Sequence, residues 1–161
     1  MSVIGDIVAT YGGPRKVVAR HLAMGQREDR VLVILMAACV MLFVASWPFN
    51  ARRAHLEAID MGPLMGGSLF ALMFMAPLLF YVLSAIVGFV LARFGWKGGG
   101  YGSRFAMFWA LLATSPVLLL HGLVRGFIGP GVQEQVVGLI WFVLFMWFWI
   151  SGLWQAGRSA A

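Results

Sequence analysis

Trp96-Lys97-Gly98-Gly99-Gly100-Tyr101-Gly102-Ser103-Arg104 is the one sharply polar break between two long apolar runs, Met61 to Ala92 and Phe105 to Val124. Its glycines make backbone that holds a helix poorly, each costing about 1 kcal/mol relative to alanine. Lys97 and Arg104, with Arg93 just before, keep the break at a water boundary. Both flanking runs reach the roughly 20 apolar residues that a bilayer crossing needs. The simplest object with this pattern is a membrane hairpin with a short, basic, glycine-rich tip.

The composition points the same way. Of 161 residues, 61% are hydrophobic and 11% charged, with mean hydropathy +0.89. A soluble domain carries about 25% charged residues, so the chain belongs with integral membrane proteins. The net charge is +6, but the cations flank apolar spans, where topology and anionic lipid account for them. Membrane lipids with anionic headgroups are therefore expected as partners, and nucleic acid is not. Cys39 is the single cysteine and lies inside the first apolar run, with no second thiol for a disulfide or metal site, so it reads as a packing residue. That run begins only at Val31 and no small-residue cleavage pattern follows it, so it is expected to remain as an anchoring helix.

Working outward, residues 1–30 form an amphipathic cytoplasmic or interfacial segment. Val3, Ile4, Ile7, Val8 and Tyr11 share a face at helical spacing, with Ser2 as cap. Gly12-Gly13 ends that pattern and Pro14 suits the first turn of a second helix. There Val17, Val18 and Leu22 share a side, while Arg15, Lys16 and Arg20 face away toward anionic headgroups. Glu28 and Asp29 stand where a helix N-terminus favours negative charge. Residues 31–157 form a membrane domain with spans at about 31–47, 68–92, 105–124 and 136–154, and 158–161 is a tail. Trp47-Pro48 closes span one and Asn50 to Asp60 is a polar connection; Met61 to Gly67 is an interfacial approach to span two. Gly126 to Glu134, with Gly129-Pro130-Gly131, is a turn.

Charge sets the orientation. With four spans, Arg15, Lys16, Arg20, Arg27, Arg30, Arg93, Lys97, Arg104 and Arg158 lie inside, and only Arg52, Arg53 and Arg125 outside. Dividing Met61 to Ala92 at Pro77 into two spans equalises the two sides and leaves each half too short. The expected fold class is an all-α polytopic membrane helix bundle with four transmembrane helices and N-terminal interfacial amphipathic helices. Both termini are expected in the cytoplasm, with the protein in the cell inner membrane.

Small residues repeat every four positions at Ser84, Gly88 and Ala92, and again at Ala106, Ala110 and Thr114. Such stripes let backbones approach closely in lipid, so spans two and three are expected to pair through them. Pro77 and Pro116 are expected to kink their helices near mid-span. Trp141, Phe145, Phe148 and Trp149 make a bulky stripe on span four, with Trp147 unusually deep for a tryptophan.

Chemistry-bearing patterns are sparse. The core of each span lacks Asp, Glu, Lys and Arg, which argues against an ion pump or proton-coupled carrier. The sequence has no nucleophile motif, phosphate loop or paired-cysteine metal signature. His55, Glu57, Asp60, His121 and Glu134 fall near the outer face and are ligand types zinc accepts. They read more simply as loop residues, so no metal, cofactor or catalytic residue is assigned.

The N-terminal segment with Pro14 ahead of the first span, the Gly100-Tyr101-Gly102 junction opening a span, and Pro116 inside that span resemble the Yip (Ypt-interacting protein) domain family, in particular its short bacterial members. The resemblance covers most of the chain and implies a multi-pass membrane protein with a cytoplasmic N-terminus. Eukaryotic relatives are linked to Rab-type GTPases; this chain departs from their five spans and long acidic N-terminus, so that partnership is not carried over. A non-enzymatic scaffold or accessory subunit of a membrane complex, associating with other membrane proteins or itself, is the expected function. The alternative is a small transport or lipid-handling component.

Overall fold

Residues 50–57 decide how the first long apolar helix ends. In the computed structural model, which describes residues 3–159, the helix α3 runs from Glu28 to Glu57, straight through Pro48. The helix therefore continues past the expected close of span one at Trp47-Pro48, and Asn50 to Glu57 belong to the helix rather than to a connection. Pro48 removes one backbone donor, and the turn beyond it is held from the side. Asn50 is buried, its amide donating to Ser68 Oγ at 2.8 Å. Ala58, with φ 51°, takes the left-handed conformation that stops the helix.

Before α3 lie α1 (Val3–Gly12) and α2 (Pro14–Ala23), divided at Gly13 with Pro14 in the first turn as the sequence indicates. After it comes α4, Met61–Arg93, one continuous helix. Asp60 caps it by accepting the Gly62 N–H at 3.0 Å, so residues 61–67 are the first turns of the span-length helix and not a separate approach. Pro77 acts through a π-helical turn at Ala71–Met75. A proline has no N–H for the carbonyl four residues back and its ring crowds that carbonyl, here Met73, so the turn widens.

The expected glycine tip is also corrected. The helix α5 runs from Gly99 to Ala113, so most of the glycine-rich stretch is helical, and residues 94–98 alone link α4 to α5. Glycine is used here for closeness. A Cβ placed on Gly102 would lie 2.9 Å from Ala156 Cβ, and one on Gly98 or Gly157 would meet the Trp96 ring. The Trp96 indole N–H donates to the Leu153 carbonyl at 3.0 Å, fastening the linker to α7, Val132–Ser159. The junction motif Gly100, Tyr101 and Gly102 is thus a packed corner: Tyr101 is buried, its ring stacked 6.3 Å from Phe105.

With the exception of half-buried Arg104, α5 is buried from Tyr101 to Ala113 and forms the middle of the molecule. At Thr114 the chain bends by 49° into α6, Ser115–Phe127, with Pro116 in its first turn. The break comes just ahead of Pro116 and parts two helices, where a kink within one helix is expected. The Thr114 hydroxyl donates to the carbonyl of Ala110 at 2.8 Å, occupying one acceptor at the break. Three helices, α3, α4 and α7, are long and apolar enough to cross a membrane, and α5 with α6 makes a fourth if the bent pair is one span.

Ser84 and Gly88 of α4 face α5, the helix expected opposite them, but they meet it at Ser103 and not at the Ala106 stripe. Ser84 and Gly88 on α4 are buried against Ser103, whose hydroxyl donates to the Ser84 carbonyl at 2.7 Å. A Cβ on Gly88 would meet Ser103 Cβ at 3.2 Å. Ala92 is exposed, and Ala106 faces α7, where a Cβ on Gly152 would meet it at 3.0 Å. The tightest seam was not marked by either stripe. It is Gly122 and Gly126 on α6 against the α3 backbone at Ala45 and Pro48.

Candidate functional site

Asp6 is where charge enters the bundle. Of the residues that share one face of α1 by spacing, Val3, Ile4 and Val8 point outward and are exposed. The buried residues of α1 are Asp6 and Thr10. Thr10 donates its hydroxyl to the Asp6 carbonyl at 2.7 Å and accepts the Trp109 indole N–H at 3.1 Å. The Asp6 carboxylate pairs with Arg20, and its other oxygen lies 3.0 Å from His21 Nε2. His21 in turn packs on Trp109 and Phe105, with ring centroids 4.8 and 5.5 Å away. Tyr11 meets Phe148 edge-on at 5.1 Å. The two short helices are therefore latched to α5 by one polar network set among aromatic rings, and to α7 by the Tyr11–Phe148 contact.

This arrangement redistributes the three cations expected at headgroups. Arg20 is bound to Asp6, and its side chain is 38% exposed. Arg15 and Arg158 both lie over the Trp154 ring, at 3.7 and 3.8 Å from its centroid. Lys16 is exposed. Val17 and Val18 are buried, as their shared face indicates, with Val18 reaching Gly152 of α7.

Burial lowers the pKa of His21 from its usual 6.5; the Arg20 and Arg30 charges add to this, and Asp6 opposes it. The docked segment therefore favours neutral His21. As pH falls through 6.5 toward that lower value, the released segment binds a proton that the docked one refuses, and docking weakens. Amide hydrogen exchange across α1 and α2 should accordingly accelerate as pH drops, after correction for intrinsic exchange. His21→Gln, which keeps a donor for Asp6, should flatten that dependence.

A cavity of about 440 Å³ opens beside the latch, lined by Val3, Asp6, Arg20, His21, Met24, Asp29, Arg30, Val33, Ile34 and Trp109. It is mainly apolar with charge concentrated at Arg20, Arg30 and the two carboxylates. A second cavity of about 300 Å³ lies toward the other end of the bundle, touching Ser46, His121, Arg125 and Trp141.

The candidate metal group is not assembled. Glu57 pairs with Arg53 at 3.0 Å, Glu134 with Arg125 at 3.1 Å, and Asp60 caps α4. Among the described residues no three His, Cys, Asp or Glu side chains converge. On α7, Trp141, Phe145 and Trp149 stack in sequence at 5.7 and 5.6 Å, whereas Phe148 is turned inward to Tyr11.

The residues that sequence reasoning missed are Asp6, Thr10 and His21. Their signal was present as polar positions four apart, Asp6 and Thr10, on an otherwise apolar helix. No family model matches the chain, and no curated protein or solved structure matches it. The likeness to the Yip domain family rests on the quoted residues alone.

Proposed function

We propose that this chain is a four-span protein of the cell inner membrane, with both termini in the cytoplasm, acting as a non-catalytic scaffold or accessory subunit. The observation that carries this reading is the outer face of α4. Phe70, Phe74, Leu78, Leu79, Val82, Ile86 and Phe89 are all exposed along it. An apolar face this long needs lipid or another membrane helix against it. The reversed pattern of α1, polar inward and apolar outward, supports hydrocarbon rather than water on its outer side.

The ion pairs support the orientation. Glu28 binds Arg104, and Arg15 and Arg158 share Trp154, which gathers the cations assigned to the cytoplasm. Arg52 donates to the carbonyls of Gly126 and Phe127, and Arg125 lies over Phe49, at the opposite end of α3. Reporter fusions at the C-terminus and within residues 94–98 should be active as cytoplasmic reporters and silent as periplasmic ones. A periplasmic signal at either position overturns the topology. Purification in mild detergent then separates scaffold from lipid handling, the second reading, which the cavity beside Arg30 favours. A stoichiometric partner supports the first, and a lone protein carrying lipid supports the second.

A further inference from the structure

We infer that the cavity between α1, α2 and the first turns of α3 binds an anionic amphiphile, its acidic head on Arg30 and Arg20 and its apolar chain along Val33. This rests on reading α3 as a span, which sets residues 28–34 at the level of lipid headgroups.

Charge complementarity identifies the head. Both carboxylates at the cavity are already engaged: Asp6 by Arg20 and His21, Asp29 by two hydrogen bonds from Arg27, at 3.4 and 2.8 Å. Arg30 is half-buried, and among the described residues it has no carboxylate partner; its guanidinium reaches only Met24 Sδ, at 3.7 Å. With Arg27 taking Asp29 from outside the lining, three arginines meet two carboxylates, which leaves Arg30 uncompensated beside Arg20, whose side chain is still partly open. A half-buried guanidinium is costly without an anion, and phosphate or carboxylate matches its fork of donors. A choline head would set a fixed cation against it.

The walls identify the rest of the ligand. Val3, Met24 and Val33 expose apolar surface at the cavity, and Ile34 and Trp109 close its inner side. Val33 lies on an exposed side of α3, so a chain leaving the cavity passes into the bilayer. About 440 Å³ lies within the range of small-molecule sites, about 300–1,000 Å³. It admits a head and the start of a chain, not a whole lipid.

The full-length protein in neutral detergent micelles tests this, with native mass spectrometry counting bound lipid and thermal unfolding as a second readout. Phosphatidylglycerol should bind at one tight site and raise the unfolding temperature. Phosphatidylcholine and millimolar inorganic phosphate should do neither. Arg30→Gln should weaken phosphatidylglycerol binding about fivefold, the loss of one surface cation, and should unfold like the parent without lipid. Arg53→Gln, at the far end of α3 and outside the cavity, should leave binding unchanged. Equal binding of the two phospholipids overturns the proposal, as does an Arg53→Gln loss equal to that of Arg30→Gln. An equal response to inorganic phosphate replaces the amphiphile with a free anion and overturns it too. The comparison of ligands on the parent protein decides the question even if a variant fails to fold. Failure here leaves the reporter-fusion topology untouched, so the two readings stand or fall separately.

Discussion

Gly122→Ala and Gly126→Ala should each destabilise the bundle by about 2 kcal/mol, a large effect for one methyl group. A Cβ at Gly122 would lie 2.1 Å from the Ala45 carbonyl oxygen, and one at Gly126 would lie 2.2 Å from Pro48 Cβ and 2.6 Å from its backbone carbonyl carbon. These neighbours are backbone and a proline ring on α3, so no rotamer change makes room; the helices must separate. Overpacking costs about 1–3 kcal/mol, and a seam blocked by backbone belongs at the top of that range. Alanine returns at most about 1 kcal/mol through helix propensity. Gly88→Ala should cost much less, because its neighbour is the Ser103 side chain at 3.2 Å. Gly67→Ala, with nothing within 4 Å, should be neutral or slightly stabilising. Unfolding by sodium dodecyl sulfate in mixed micelles measures all four. If Gly122→Ala and Gly67→Ala behave alike, α3 and α6 do not meet as described.

That seam also marks where the sequence was readable and where it was not. Gly122 and Gly126 are four apart, the spacing that lets membrane helices touch, but His121 and Arg125 beside them make the stretch read as the end of a span. Ser84, Gly88, Ala106 and Ala110 were found by spacing, yet spacing alone does not choose the neighbour, and Ala106 turns to Gly152 rather than Gly88. Helix boundaries set by local chemistry were legible: Gly13-Pro14 between α1 and α2, Glu28 and Asp29 opening α3, and Pro116 at the 49° bend. Boundaries decided by distant partners were not. Pro48 and the polar residues after it signal a stop, but Asn50 is held inside the helix by Ser68, eighteen positions away. Gly98 to Gly102 signal a break, because the cost of glycine in a helix is local while the benefit comes from Trp96 and Ala156.

The same reasoning makes Asp6 the most consequential polar residue of the chain. Asp6→Ala should release α1 and α2 from the bundle while leaving α3 to α7 folded. The substitution frees Arg20 and His21 together and removes the one carboxylate that neutralises the latch. Breaking a buried ion pair from one side costs about 3–5 kcal/mol. Arg20, with a side chain 38% exposed, rehydrates in part, which brings the expected loss to about 2 kcal/mol. Hydrogen exchange should record it as roughly thirtyfold faster exchange in α1 and α2, the rate equivalent of that free energy. The core of α5 should stay protected. Trp109→Phe should loosen the segment as well, by removing the donor to Thr10 and leaving space where a buried indole packs on His21, without touching the charges. In Arg20→Ala one of the charges that lowers the His21 pKa is gone, while Asp6 still opposes burial. Docking in that variant should therefore weaken less steeply on acidification than in the parent. An unchanged pH dependence in the variant would remove the Asp6–Arg20–His21 network as the element that holds the segment down.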